Sequence, residues 1–219
     1  MASRTEPDVP FFPLMLDLDK RKCLVVGAGR IASGKIDGLL NYGAKIVVVS
    51  PRAVAEIQAQ SRAGVLIWHR RVFSPRDVKG AFLVIAATNS PEVNEAVFRA
   101  CRAQRVLCNS VDDPEHCDFF YPAVVRRGQL QIAISTNGNL PALAARLRKE
   151  IEEQFGPEWS EWIERVGKLR REIRGQKTSP EKRRQRLLRL ASPEAFQSFA
   201  AQGKKSKSAT RHKTKKPKR

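Results

Sequence analysis

The fold of this chain is decided by residues 23–32, which read CLVVGAGRIA. The apolar, β-branched run at 23–26 predicts a buried parallel strand, and the turn after it has the form G-x-G-x-x-A. Gly27 allows the tight turn, Gly29 lets a pyrophosphate approach the backbone, and Ala32 keeps the next helix close to the strand. Because the free N–H groups of that helix would face the phosphates, the stretch predicts a dinucleotide-binding βαβ unit.

The alternation of strand and helix continues to residue 108. Apolar strand patterns recur at 45–49, 65–68, 82–87 and 106–108, with helical patterns at 31–42, 53–61 and 91–103. Strands that alternate with helices are joined by right-handed crossovers. The sequence therefore predicts an α/β fold with a parallel, doubly wound sheet of the Rossmann type.

The pattern changes after residue 112. A polar loop at 113–118 precedes a strand at 129–135 with one exposed face, and then come charged helical patterns at 142–154, 158–175 and 180–190 and a short one from Pro193. We expect a Rossmann domain over 1–112, a central segment over 113–145, a helical C-terminal domain over 146–202 and a basic tail over 203–219.

The composition of the chain argues against a membrane-spanning protein and against a secreted one. No apolar run reaches the length of about 18 residues that a transmembrane helix needs, and the first residues lack the layout of a signal peptide. Four cysteines without a C-x-x-C pair indicate reduced thiols and a cytoplasmic location. The net charge is +19, and the tail alone has nine Lys and Arg residues and no acid. Such a tail would be disordered and attract polyanions, nucleic acid included, but a solubilising extension is the favoured interpretation.

Candidate cofactor contacts lie at the carboxyl ends of three predicted strands: Gly27, Gly29, Arg30, Ile31, Ala32, Ser50, Pro51, Arg52, Thr88 and Asn89. An acid after the second strand would bind the ribose hydroxyls of NAD. This chain has Ser50, which can bond a ribose oxygen, and Arg52, which could pair with the 2′-phosphate of NADP. These residues therefore do not distinguish between NAD and NADP as the cofactor.

Several strings together resemble the siroheme synthase N-terminal family. They are FPLMLDLDKRKCLVVGAGRIASGK, VVVSP, AATN, CNSVDDPEHCDFFYPAVV and QIAISTNGNLPALAARLR, in this order, over about residues 10–175. The resemblance implies a homodimer with a dimerising central region, and the oxidation of the tetrapyrrole precorrin-2 to sirohydrochlorin with NAD⁺. Some members also insert Fe²⁺, as a substrate, to make siroheme, and the sequence leaves that second activity open.

The resemblance assigns the chemistry to Asp112. Dehydrogenation removes a hydride and a proton, and a carboxylate at the edge of the sheet could accept the proton as general base. By itself, an aspartate before Asp-Pro would be predicted to cap a turn. Two positions depart from the family motif G-G-G-x-V-A-x-R-K, since Ala28 replaces its middle glycine and Gly34 replaces its arginine.

Candidate substrate contacts are Thr136, Asn137 and Gly138. Thr136 matches a serine near the tetrapyrrole site of some relatives, although the string TNGNLP departs from the family's S-G-G-x-S-P. Positive charge suits a substrate with eight carboxylates, and Arg146 and Arg148 could either bind it or lie on a solvated helix face. His116 and Cys117 lack further ligands at metal-binding spacing, so no metal site is predicted.

Three functions compete at this point. The leading one is an NAD-dependent precorrin-2 dehydrogenase, with iron insertion left open. The alternative is a non-catalytic dinucleotide-sensing regulatory module, which would need neither Asp112 nor the segment 135–141. A nucleic-acid-binding protein ranks last, because only the tail suggests it and the tail has no recognised binding motif.

Overall fold

The computed structural model describes residues 11–202, which form two units that divide between Tyr121 and Pro122. The sheet of the first unit has five strands: β1 (Lys22–Val26), β2 (Lys45–Val49), β3 (Ile67–His69), β4 (Leu83–Ala86) and β5 (Leu107–Ser110). Every neighbouring pair is parallel, and the order is β3-β2-β1-β4-β5. The chain starts in the middle of the sheet and winds outward to both edges, so the predicted doubly wound Rossmann fold is confirmed.

Helices cover both faces of this sheet: α1 (Arg30–Leu40), α2 (Ala55–Arg62) and α3 (Pro91–Gln104). Successive residues of β1 point to opposite faces. Val25 packs in the cluster that contains the buried side of α1, whereas Leu24 and Val26 pack in the cluster that contains the buried side of α3. Both faces of the strand are therefore buried, which explains why its sequence is continuously apolar.

Several boundaries differ from the predicted ones, and hydrogen bonds explain two of these differences. The N–H of Val65 donates to the carbonyl of Gln60 and closes the turn after α2, so β3 begins at Ile67. Residues 113–121 lie in the first unit, because the N–H of Asp118 donates to the carbonyl of Cys108 and returns the chain to β5.

The second unit consists of a two-stranded antiparallel sheet and helices. Strands β6 (Ala123–Arg127) and β7 (Leu130–Ile134) pair with each other, and α4 (Pro141–Gln154), α5 (Glu158–Gly175) and α6 (Pro180–Leu190) follow. Residues 193–202 are also helical. The sequence interpretation missed β6, because its apolar residues are contiguous and do not alternate. Arg127 connects this sheet to the end of α4, since its Nε donates to the carbonyl of Phe155 at 2.6 Å.

Two further facts bear on the class of protein. Within residues 11–202, no helix combines the length and the apolarity that crossing a membrane requires. The four cysteines are buried and free of disulfide bonds.

Candidate functional site

A crevice of about 490 Å³ opens at the carboxyl ends of the central strands. It is lined by residues 26–29, 49–54, 72–73, 87–89 and 93. The strand order reverses between β1 and β4, and doubly wound sheets bind their ligands at such a reversal. The position and size of the crevice are those of a nucleotide site.

Two glycines of the first turn have different reasons to be glycine. Gly27 has φ +104°, and a Cβ there would overlap the carbonyl oxygen of Ala87, so the fold itself requires glycine. Gly29 has an ordinary extended backbone with φ −82°, and no atom lies within 4 Å of an added Cβ. The protein leaves that space open, and a pyrophosphate at the start of α1 would fill it.

The start of α1 presents unpaired backbone donors. Gly29 is the residue before the first turn, no side chain caps the helix, and the first turn contains no acid. The first N–H groups of a helix have no partner within the helix and carry its positive end. The turn therefore fits an anionic group such as the pyrophosphate of a dinucleotide.

The loop after β2 forms the wall where a ribose would lie. The hydroxyl of Ser50 donates to the carbonyl of Arg52 at 2.7 Å, and the indole N–H of Trp68 donates to the carbonyl of Ser50 at 2.9 Å. These bonds hold the loop in shape. Among the residues that the structure describes, the crevice wall contains no acidic side chain.

The loop after β4 is held by a residue that the sequence interpretation missed. Asn94, a buried polar residue of α3, accepts from the hydroxyl of Thr88 at 2.7 Å and donates to its carbonyl at 3.2 Å. A polar residue on the helix face that also carries the buried Val97 was the available signal. The network holds Thr88 at the crevice wall.

The crevice brings together most of the predicted cofactor residues. Gly27, Gly29, Ser50, Pro51, Arg52, Thr88 and Asn89 line it. Arg30 and Ile31 lie outside the lining on the exposed first turn of α1, and Ala32 is buried in the core beneath that turn.

Asp112 lies in the first unit, directly after β5. Its backbone is left-handed, with φ 60°, a conformation that aspartate tolerates better than most residues. The residue before it donates its N–H to the carbonyl of Ala86, and the residue after it donates to the carbonyl of Ser110. The backbone is thus fixed to the ends of β4 and β5, while the exposed carboxylate forms no hydrogen bond or ion pair within residues 11–202.

The loop after Asp112 is closed against the sheet. The buried thiol of Cys117 donates to the carbonyl of Ser110 at 3.1 Å. Burial raises the pKa of this thiol to about 11, so it remains a neutral donor. The carboxylate of Asp118 accepts from the N–H of Cys108 at 2.9 Å and pairs with Arg102 of α3 at 3.2 Å. These contacts make the support of Asp112 rigid.

Asp113 lies at the start of the loop that follows Asp112. It precedes the short 3-10 helix Pro114–His116, but its side chain forms no capping bond. Its carboxylate lies 2.5 Å from Nδ1 of His116, whose ring packs against Phe98. Asp113 and His116 thus support the loop, and within residues 11–202 no cluster of three or more His, Cys, Asp or Glu side chains could hold a metal ion.

The candidate substrate residues 136–138 lie in the second unit. The hydroxyl of Thr136 accepts from the N–H of Leu140 at 3.2 Å, at the entry to α4, and Asn137 and Gly138 form the exposed turn between them, both with positive φ. The two arginines of α4 are paired within their own helix, Arg146 with Glu150 at 3.3 Å and Arg148 with Glu152 at 2.5 Å.

Two family models match the chain. Residues 14–123 match a family described as putative NAD(P)-binding, and residues 127–154 match the sirohaem biosynthesis protein central family. The siroheme synthase of Actinobacillus succinogenes is 35% identical over 175 residues, which are 80% of this chain and 37% of that protein. Siroheme synthase 1 of Pectobacterium atrosepticum is 38% identical over 164 residues, 75% of this chain and 34% of that protein. The chain thus spans 34–37% of the length of these two relatives.

One solved structure is similar over nearly the whole chain. It is described as SirC, precorrin-2 dehydrogenase, and it superimposes with a TM-score of 0.72 at 28% sequence identity. The superposition covers 89% of this chain and 100% of that one. The likeness therefore includes the helical second unit as well as the nucleotide fold.

Proposed function

Since the chain belongs to the siroheme synthase N-terminal family, we propose that it is a precorrin-2 dehydrogenase, which oxidises precorrin-2 to sirohydrochlorin with NAD⁺. One observation carries the proposal. An unpaired carboxylate, Asp112, is held at the carboxyl end of the sheet beside β4, the strand whose following loop lines the nucleotide crevice.

The crevice supports the cofactor part of the proposal. Gly29 and the first N–H groups of α1 would hold the pyrophosphate, Ser50 and Arg52 would lie along a ribose, and Thr88 and Asn89 would lie on the nicotinamide side. NAD⁺, when bound, supplies the hydride acceptor. We propose NAD⁺ rather than NADP⁺ from the family resemblance, and steady-state kinetics with both cofactors test this choice.

Asp112 supports the chemical part. Oxidation of precorrin-2 releases one proton in addition to the hydride, and Asp112 is the group that we assign to accept it. Its carboxylate forms no hydrogen bond and no salt bridge within residues 11–202, so both oxygens are free to accept. Fixed backbone on both sides of the residue positions the acceptor without relying on a contact of its own side chain.

The assembly and the location are proposed with the activity. A homodimer is proposed from the resemblance of the second unit to the sirohaem biosynthesis central family. A cytoplasmic location is proposed because four buried thiols without disulfides suit a reducing compartment.

The test is an assay of precorrin-2 with NAD⁺, followed by the absorbance of NADH and of the tetrapyrrole. We expect both signals to rise together with equal stoichiometry. A protein that binds NAD⁺ and shows no turnover would contradict the proposal and favour a dinucleotide-sensing regulatory module. A parallel assay with Fe²⁺, as substrate, reports iron insertion separately from dehydrogenation.

A further inference from the structure

Lys35 is a cation close to Asp112 that the sequence interpretation did not single out. It lies in the middle of α1, and its ammonium is 3.9 Å from the ring centroid of Tyr121. Side chains of a helix tilt toward its N-terminus, which for α1 is the carboxyl edge of the sheet. Val111 and Phe119 pack against the same core cluster as α1, so the segment that carries Asp112 lies on the same face as Lys35.

Among the residues that the structure describes, the ammonium of Lys35 has no oxygen partner. Within residues 11–202 it forms a cation–π contact but no hydrogen bond and no salt bridge, although an ammonium has three N–H donors. The side chain is half-buried. Burial lowers the pKa of Lys35, and the nearby charge of Asp112 opposes that shift only in part. A half-buried ammonium has lost part of its hydration, and the carboxylate of an incoming anion would replace the lost contacts.

Position distinguishes among the anions that could bind. Lys35 does not belong to the lining of the nucleotide crevice, whose phosphate-binding turn is at Gly29, so a cofactor phosphate is not its partner. Asp112 acts on it electrostatically but forms no salt bridge with it. The substrate of the proposed reaction brings eight carboxylates to the neighbourhood of Asp112, and an ammonium binds a carboxylate through a charge-assisted hydrogen bond.

We propose that Lys35 binds a carboxylate of the tetrapyrrole substrate and thereby places the reacting carbon beside Asp112. This inference rests on the proposed dehydrogenase function. Tyr121 is its positioning partner, because the ring holds the ammonium in place without occupying its donors.

The chain offers a matched control for the loss of charge. The guanidinium of Arg21 lies 4.5 Å from the ring centroid of Phe82, and is therefore also a cation stacked on an aromatic ring in the first unit. Arg21 directly precedes β1, at the opposite edge of the sheet from Asp112. Arg21→Met removes the same charge from the same kind of contact, away from the site.

The first experiment is steady-state kinetics with varied precorrin-2 and saturating NAD⁺. We expect Lys35→Met to raise KM for precorrin-2 by about 10-fold or more, the value of one hydrogen bond to a charged group, and to leave the Kd of NAD⁺ unchanged. Lys35→Arg should restore most of the loss, and Arg21→Met should behave like the wild type. A rise in KM that Lys35→Arg does not reverse, or that is accompanied by weaker NAD⁺ binding, overturns the assignment.

The second experiment separates this inference from the proposed function. Binding of a porphyrin with eight carboxylates is measured by fluorescence anisotropy, without turnover. We expect Lys35→Met to weaken binding by about 10-fold relative to wild type and Arg21→Met. If all three proteins bind the porphyrin with equal affinity, the role proposed for Lys35 is wrong, and the proposed dehydrogenase function is not affected. If the wild type does not bind the porphyrin, the tetrapyrrole substrate class fails and Lys35 loses its ligand with it.

Discussion

At the scale of single residues, the candidate nucleotide site contains two glycines, Gly27 and Gly29, that differ in backbone conformation and in the space beside them. The conformation of Gly29 is available to every residue, and the space beside it is empty of protein. The conformation of Gly27 is available to glycine almost alone, and the space beside it is filled by Ala87. The same substitution should therefore affect binding at one position and folding at the other.

Gly29→Val should abolish binding of NAD⁺ and leave the fold intact, because its side chain would enter the space for the pyrophosphate. Calorimetric titration measures the binding, and circular dichroism checks the fold. Gly27→Val is the control, and it should destabilise the protein by about 1–3 kcal/mol or more, since a positive φ and an overlap must both be relieved. Unchanged NAD⁺ affinity in Gly29→Val would contradict the assignment of the nucleotide site.

Asp112→Asn should retain NAD⁺ binding and lose about 10²–10⁴-fold in turnover, because an amide cannot accept the proton as a carboxylate does. The measurement is kcat with precorrin-2 and NAD⁺. Asp113→Asn is the matched neighbour. Its carboxylate supports His116, so the change should cost some stability and much less activity. Equal, small effects of the two substitutions would show that Asp112 is structural.

At the scale of secondary-structure elements, a charged cap fixes the 3-10 helix Pro75–Val78 ahead of β4. Asp77 and Ser74 form a reciprocal capping box, and Arg71 binds both oxygens of the same carboxylate, at 2.6 and 2.8 Å. The helix ends in Val78, which is fully buried in the core. The hydrogen bonds from Arg71 hold the pKa of Asp77 below its ordinary value, and the N–H of Ser74 acts in the same direction.

Asp77→Asn should lower the free energy of unfolding at neutral pH by about 0.5–2 kcal/mol, the usual value of a cap. Because the folded pKa is depressed, the contribution is fully present above the unfolded pKa of about 4 and is lost as pH falls through the folded pKa. Urea unfolding of both proteins between neutral and acid pH measures this, and the two stabilities should converge in acid. A difference that does not change with pH would exclude the charge as its cause.

At the scale of the whole molecule, the two-stranded sheet of the second unit is where we expect a second chain to associate. Only β6 and β7 pair in it, so each strand has an outer edge without a neighbouring strand within the described residues. Open edges can pair with a second chain. We expect a homodimer by light scattering at micromolar concentration, and a monomeric mass under those conditions would contradict the proposal.

The basic tail, residues 203–219, lies outside the described residues, and its effect is tested on the complete protein. Deletion of these residues should leave turnover nearly unchanged at physiological salt. At low salt a modest loss is expected, because nine positive charges attract a substrate with eight carboxylates and salt screens that attraction. A large loss that does not depend on salt would place the tail in the site.

The nucleotide fold and the position of its crevice could be predicted from the amino-acid pattern. The spacing of apolar residues indicates buried strands and amphipathic helices. The spacing of the glycines in the first turn indicates that a ligand approaches the backbone there. The role of general base was assigned to Asp112 only from the family resemblance, because the residues around it favour a turn-capping aspartate. Strand β6 was missed because its apolar residues do not alternate with polar ones. It is recognised as a strand by its pairing with β7.

The contacts between individual side chains could not be predicted from that pattern, because they depend on tertiary packing. Three such contacts are those of Asn94 with Thr88, Arg71 with Asp77 and Lys35 with Tyr121. The last of these joins a helix near the start of the unit to its final residue. The pattern of neighbouring residues indicates whether a side chain is buried. The side chain that it contacts depends on how elements distant in sequence pack together in the core.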